Sequence, residues 1–197
     1  TLLSILGGLL TPTAGEAFVF GRALSAMSAR ERAAYRRQDV GFIFQQYNLV
    51  PALTAAENAA AALIIAGEKR EAAVGRARAT LATLGLGDHC EKFPRVAIAR
   101  ALVHGPRLII CDEPTAALDS STGEAVMEIL SEIACDSGRS VIIVTHDTRI
   151  FDYADHLIEL EDGLVIRDER LDKEAPPEPA PTPAPEPAPR PVRKAAA

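Results

Sequence analysis

Unbroken apolar runs alternate with longer amphipathic and charged stretches along most of this chain, a pattern that predicts an α/β fold. Residues 108–111 (Leu-Ile-Ile-Cys) and 141–144 (Val-Ile-Ile-Val) contain no polar position. Such runs mark strands buried on both faces, and hence a parallel sheet. Residues 40–44 read as a third strand and 17–20 as a short one closed by Gly21. Between the strands the spacing predicts helices. Residues 2–10 form a short apolar helix weakened by Gly7 and Gly8, and residues 28–37 a charged one. Residues 54–84 are Ala-rich and helical in character, opened by a capping box at Thr54-Ala55-Ala56-Glu57. Residues 95–103 form a helix stopped near Gly105-Pro106. Beyond residue 111, a helix places Val126, Ile129, Leu130 and Ile133 on one face and ends at Gly138. Residues 157–160 and 164–166 flank Glu161-Asp162-Gly163, which predicts a hairpin.

Residues 171–197 break the pattern. Nine of the chain's 14 prolines lie in 175–197, alternating with Ala and Glu. Such a tail cannot bury a core and is expected to be disordered with polyproline II character. A spacer is the simplest role for it, and a ligand for a Pro-binding module the sharper one.

The remaining 170 residues suffice for one domain with a real core, and apolar residues make up 48% of the chain. No apolar run approaches the ~18 residues of a membrane span. The net charge of −6 argues against nucleic acid as a partner. Cys90, Cys111 and Cys135 are widely spaced without a CxxC pair, as expected of reduced thiols in a cytoplasmic protein rather than of a metal site.

The chemistry gathers at strand exits. Ligands of parallel sheets bind beyond the carboxyl ends of the strands, and residues 108–111 run directly into Asp112 and Glu113. A carboxylate pair there suits a Mg²⁺ ion and a water to be deprotonated. His146 ends the next strand, one strand–helix–strand unit later, so it emerges on the same sheet edge. Gln45 ends the strand at 40–44; its amide can ligate a metal or bond a water. Asp119 precedes a helix and suits an N-cap as well as a ligand contact, and Asp147 suits an N-cap.

In this order the segments resemble the nucleotide-binding domain of ABC transporter ATP-binding subunits. Residues 108–119 (LIICDEPTAALD) are similar to their Walker B motif and D-loop, residues 40–49 (VGFIFQQYNL) to their Q-loop, and Thr145-His146-Asp147 to their H-loop. Leu53-Thr54-Ala55-Ala56-Glu57-Asn58 is most similar to the branch that drives lipoprotein release and macrolide export. The resemblance implies a P-loop NTPase-like (RecA-like) parallel-sheet core in residues 1–170, with an α-helical subdomain at about 51–104. It implies ATP and Mg²⁺ as cofactors, Asp112 and Gln45 as metal ligands, Glu113 polarising the attacking water, and His146 contacting the γ-phosphate. Gln45 and Asp119 become nucleotide contacts. The implied partners are a second ATPase subunit and an integral-membrane permease, which places the chain on the cytoplasmic, inner face of the plasma membrane.

Two family motifs are not among the 197 residues. Thr1-Leu2-Leu3 matches the positions just after a P-loop, G-x-x-x-x-G-K-[ST], whose backbone N–H groups cradle the phosphates. Thr1 is the candidate nucleotide contact on that side, and the sequence reads as N-terminally truncated. The Leu-Ser-Gly-Gly-Gln signature should precede the helix Arg-Val-Ala-Ile-Ala-Arg-Ala-Leu, yet Pro94 directly precedes Arg95, as if that stretch were deleted. Weak or no ATPase activity is the expectation, together with an apolar sheet edge left without its neighbouring strand. A non-hydrolytic, permease-binding subunit is the alternative. A DNA-repair ATPase of the same superfamily is disfavoured by the acidic balance.

Overall fold

The computed structural model describes residues 1–86, 93–135 and 138–171. Cys90 and the Pro-rich stretch 172–197 therefore lie outside the described residues. The chain divides into two compact units, Thr1–Ala154 and a second beginning at Asp155.

The first unit is built on a parallel three-stranded sheet in the order β3-β4-β5 (Val40–Ile43, Leu108–Asp112 and Ser140–Val144). Helix α1 (Leu2–Leu6) and a small hairpin, β1 (Phe18–Val19) with β2 (Arg22–Ala23), precede α2 (Ala29–Asp39). Helices α3 (Ala55–Ile65), α4 (Arg70–Thr83) and α5 (Phe93–Leu102) connect β3 to β4, and α6 (Ser120–Cys135) connects β4 to β5.

The apolar run of β4 follows from helices on both its faces. Leu108 and Ile110 pack with Tyr35 of α2, Leu24 and Val40, with Leu3 and Leu6 of α1 against them. Ile109 and Cys111 face the other way, onto Ala97, Ile98 and Ala101 of α5 and Val126, Met127, Leu130 and Ile133 of α6. Complete burial of the Cys111 thiol pushes its pKa far above the ordinary value, so it behaves as a small apolar group.

Helix α5 serves two cores. Its Val96 and Ala99, with the following Val103, turn away from the sheet onto Ala59, Ala60 and Leu63 of α3 and Ala73, Ala77 and Leu81 of α4. The small residues of α3 and α4 let these helices pack closely, which explains their Ala-rich sequence. The capping box at Thr54 is present: Glu57 N–H donates to Thr54 Oγ1 at 3.3 Å, and Thr54 N–H to Glu57 Oε2 at 2.9 Å. Ser28 and Glu31 form a second box at the start of α2.

Several expected boundaries move. The first helix stops at Leu6, because Gly7 ends it and the chain turns through Gly8 (φ +69°). The helical stretch 54–84 is two helices, parted where Gly67 adopts φ +98°. Helix α5, described from Phe93, runs continuously through the Pro94–Arg95 junction. Strand β5 is hydrogen-bonded only to β4 among the described residues, and Val144 is 44% exposed. The apolar edge expected from the sequence is therefore real at β5.

The second unit holds the expected hairpin, β6 (His156–Glu161) antiparallel to β7 (Leu164–Arg170), longer than the sequence suggested. Asp162 (φ +50°) and Gly163 (φ +81°) make its turn, the paired positive φ values that suit strand twist.

His104, just past α5, fastens this helix to the sheet. Its Nε2 lies 3.0 Å from the Val40 carbonyl oxygen, which can only accept, so Nε2 carries the proton. Nδ1 is buried without a partner. Burial lowers the pKa from the ordinary 6.5, the Val40 bond opposes the shift, and the Arg76 charge adds to it. A folded pKa below the unfolded one means that this contribution to stability is complete above pH 6.5 and is lost as pH falls below it. The urea midpoint should therefore drop on acidification from pH 7 more steeply in the wild-type chain than in His104→Gln; identical slopes would refute this assignment.

Candidate active site

The parallel register brings four of the candidate residues to one edge. Ile43 lies opposite Cys111 and Asp112 opposite Val144. Two residues beyond Ile43 and Cys111, Gln45 and Glu113 leave the sheet at the same level. Beyond Val144, the chain reaches His146 by the same edge. Asp112, the last residue of β4, is exposed there.

Glu113 and His146 meet directly: His146 Nδ1 is 2.6 Å from Glu113 Oε1. A carboxylate only accepts, so Nδ1 donates and a neutral imidazole presents its lone pair at Nε2. The pair sits at an open rim, with 80% of the His146 side chain exposed against 19% for Glu113. Glu113 adopts φ +51°, a left-handed conformation that strains a residue bearing a Cβ. Its backbone N–H donates to the Val144 carbonyl at 2.9 Å, so β5 holds this conformation from the side.

Asp119 is an N-cap of α6, as one of its two sequence readings holds. Its carboxylate accepts from Ser121 Oγ at 2.7 Å, Thr122 N–H at 3.1 Å and Thr122 Oγ1 at 2.8 Å. The Ser121 hydroxyl, followed by the two Thr122 donors, holds its pKa down at about 2. Asp147 caps the 3₁₀ turn Thr148–Tyr153 by accepting from Arg149 N–H at 3.1 Å. The Arg149 guanidinium grips Asp147 through Nε and Nη2 and donates from Nη1 to Ser120 Oγ at 3.0 Å, tying the turn after β5 to the start of α6.

Thr1 is the exposed N-cap residue of α1 and makes no side-chain capping bond. Gln45 is exposed just beyond β3. Among the described residues no group of three or more His, Cys, Asp or Glu side chains forms a metal cage. A cleft of about 360 Å³ beside Asp119, lined by Thr115, Met127 and Arg149, does not include Glu113 or His146.

Two supporting residues escaped the sequence reading. The Tyr47 hydroxyl donates to the Pro114 carbonyl at 2.9 Å, and Arg100 donates to the Tyr47 and Asn48 carbonyls at 2.6 and 2.7 Å. A tyrosine two residues past the candidate glutamine was the available signal.

The family model "ABC transporter" matches residues 1–116. The chain is 45% identical over 182 residues to the macrolide export ATP-binding/permease protein MacB of Shewanella sp. (strain W3-18-1), covering 88% of this chain and 28% of that protein. It thus spans little more than a quarter of such relatives. It is 43% identical over 175 residues to the uncharacterized ABC transporter ATP-binding protein MJ1508 of Methanocaldococcus jannaschii, covering 84% of this chain and 78% of the relative. Among solved structures, the dimeric ATP-binding cassette MJ0796 in a post-hydrolysis state bound to ADP and Pi superposes with a TM-score of 0.78 at 36% identity, over 87% of this chain and 80% of that one. The parallel sheet with its flanking helices is therefore a P-loop NTPase-like α/β core, and the chain belongs to the ABC transporter ATP-binding family, in its macrolide-export branch.

Proposed function

We propose that the edge formed by Gln45, Asp112, Glu113 and His146 is the metal-binding and water-activating half of an ATP-hydrolysis site. The observation that carries this reading is the Glu113–His146 pair at 2.6 Å beside the exposed Asp112. Asp112 and Gln45 would hold Mg²⁺, whose charge neutralises the phosphates. Glu113 accepts the proton of the attacking water through its second oxygen. His146 orients Glu113 through Nδ1 and leaves its Nε2 lone pair to accept a hydrogen bond from the attacking water. Phosphoryl transfer needs positioning and charge neutralisation more than covalent chemistry, so these groups suffice for this half.

The other half of the reaction is holding the nucleotide. Backbone N–H groups and a lysine do this in a P-loop, and the 197 residues contain no G-x-x-x-x-G-K-[ST]. An exposed His, two carboxylates and an amide offer too few donors to displace the hydration of a triphosphate. The 197-residue polypeptide by itself is therefore expected to bind ATP·Mg²⁺ weakly and to turn it over negligibly. Isothermal titration should give no saturable heat at micromolar nucleotide; a micromolar Kd would overturn this.

In its cellular setting the chain would act as a subunit of an exporter of the macrolide-export or lipoprotein-release type. It would pair with a second ATPase subunit, with Asp119 and Thr1 among its nucleotide contacts. A membrane permease would be driven from the inner face of the plasma membrane, with the helical subdomain α3–α5 as the contact. No described helix is long and apolar enough to cross a membrane.

A further inference from the structure

Glu113 is strained, and a strained residue must be held from more than one side. Strand β5 holds its N–H. On its other side is Pro114, fully buried, whose carbonyl accepts from the Tyr47 hydroxyl at 2.9 Å. The Tyr47 ring is 92% buried in the core shared by α5 and α6, and this burial raises the phenol's pKa to about 12, so it stays a donor at any physiological pH.

Tyr47 is itself held in an unfavourable conformation. Tyr47 (φ +57°) and Asn48 (φ +46°) are consecutive left-handed residues. The turn is closed by Tyr47 N–H donating to the Phe44 carbonyl at 2.8 Å and Asn48 N–H to the Gln46 carbonyl at 2.6 Å. One guanidinium then takes both outward carbonyls: Arg100 of α5 donates to Tyr47 O and Asn48 O. Arg100 is partly desolvated, which lowers its pKa and strengthens both charge-assisted bonds. Asn58 of α3, 4% exposed, fixes the following loop by accepting from Val50 N–H at 2.8 Å and donating to the Val50 and Leu53 carbonyls at 3.1 Å.

We propose that Tyr47 is a positioning residue for Glu113 and that Arg100 sets it. Helix α5 fixes the turn after β3, the turn aims the phenol, and the phenol fixes Pro114 and with it the carboxylate that faces His146. Movement of α5 against the sheet is thereby delivered to Glu113 through one side chain. This proposal rests on reading Glu113 as the water-activating group, but the coupling itself needs no nucleotide and is measured without one.

The test is the ¹H–¹³C imidazole spectrum of the purified 197-residue chain at fixed pH; its four histidines allow His146 to be assigned. Tyr47→Phe keeps the ring and removes the donor, and should shift the His146 imidazole signals toward their positions in Glu113→Ala. Tyr35→Phe is the control, because it deletes an equivalent bond, to Leu6 O at 2.9 Å, on the opposite face of the sheet. It should lower the urea midpoint by a similar amount while leaving His146 in place. Arg100→Met should shift His146 in the same direction as Tyr47→Phe, and Arg100→Lys, which retains one donor, by less. If Tyr47→Phe does not fold, the Arg100 pair carries the test. Unmoved His146 signals in the foldable variants, or an equal shift in Tyr35→Phe, would reduce Tyr47 to a packing residue. Such a failure leaves the proposed function standing, because that reading is tested separately by nucleotide binding and turnover.

Discussion

Gly41→Ala is expected to destabilise the first unit by about 3 kcal/mol, the upper end of the range for overpacking a core. Gly41 lies in β3, and a Cβ built there would come within 2.4 Å of the Ala101 carbonyl oxygen and 3.2 Å of the Ala101 Cβ. The obstacle is the backbone of α5, not the tip of a flexible side chain, so relief requires moving the helix off the sheet. Helix α5 cannot move freely, because Val96, Ala99 and Val103 bind it to the helical core on its far side. Moving it would also strain the His104–Val40 and Arg100–Tyr47 bonds. A loss of this size is roughly a hundredfold in the folding equilibrium, a large share of the marginal stability of a single domain. Urea denaturation should show a clearly lowered midpoint or no cooperative transition. An unchanged midpoint would mean that α5 is loosely seated, and the route from α5 to Glu113 would lose its mechanical basis.

The buried strands were the most legible part of the sequence, for a physical reason. Covering a parallel sheet on both faces leaves no polar position, so 108–111 and 141–144 announce themselves. The site edge was legible by the same logic: once two parallel strands are placed, their exits share an edge, which predicts that Glu113 and His146 are close. Distance and tautomer were not legible, since the 2.6 Å contact depends on the left-handed Glu113. Helix ends were misplaced where glycine geometry, not periodicity, decides them, at Gly8 and Gly67. The roles of Tyr47, Arg100 and Asn58 were hidden for another reason. Each acts on backbone carbonyls, those of Tyr47 and Arg100 distant in sequence, and carbonyls carry no residue identity for a pattern to reveal.

On the proposed reading, the open rim at Glu113 and His146 supplies the metal-binding and water-activating groups of a hydrolysis site. The direct question is whether this half performs the chemistry once ATP is held. A segment bearing G-x-x-x-x-G-K-[ST] from a relative can be joined ahead of Thr1, and Leu-Ser-Gly-Gly-Gln inserted between Pro94 and Arg95. In that protein, Glu113→Gln keeps the shape and the hydrogen bond to His146 but cannot accept a proton from water. Loss of a general base typically costs ~10²–10⁴-fold in rate, and an interaction made only in the transition state lowers kcat without weakening substrate binding. Steady-state ATP turnover should therefore fall by about that factor while ATP affinity stays within error of the unsubstituted protein; equal turnover by the two proteins would contradict the assignment of Glu113 as the group that activates water.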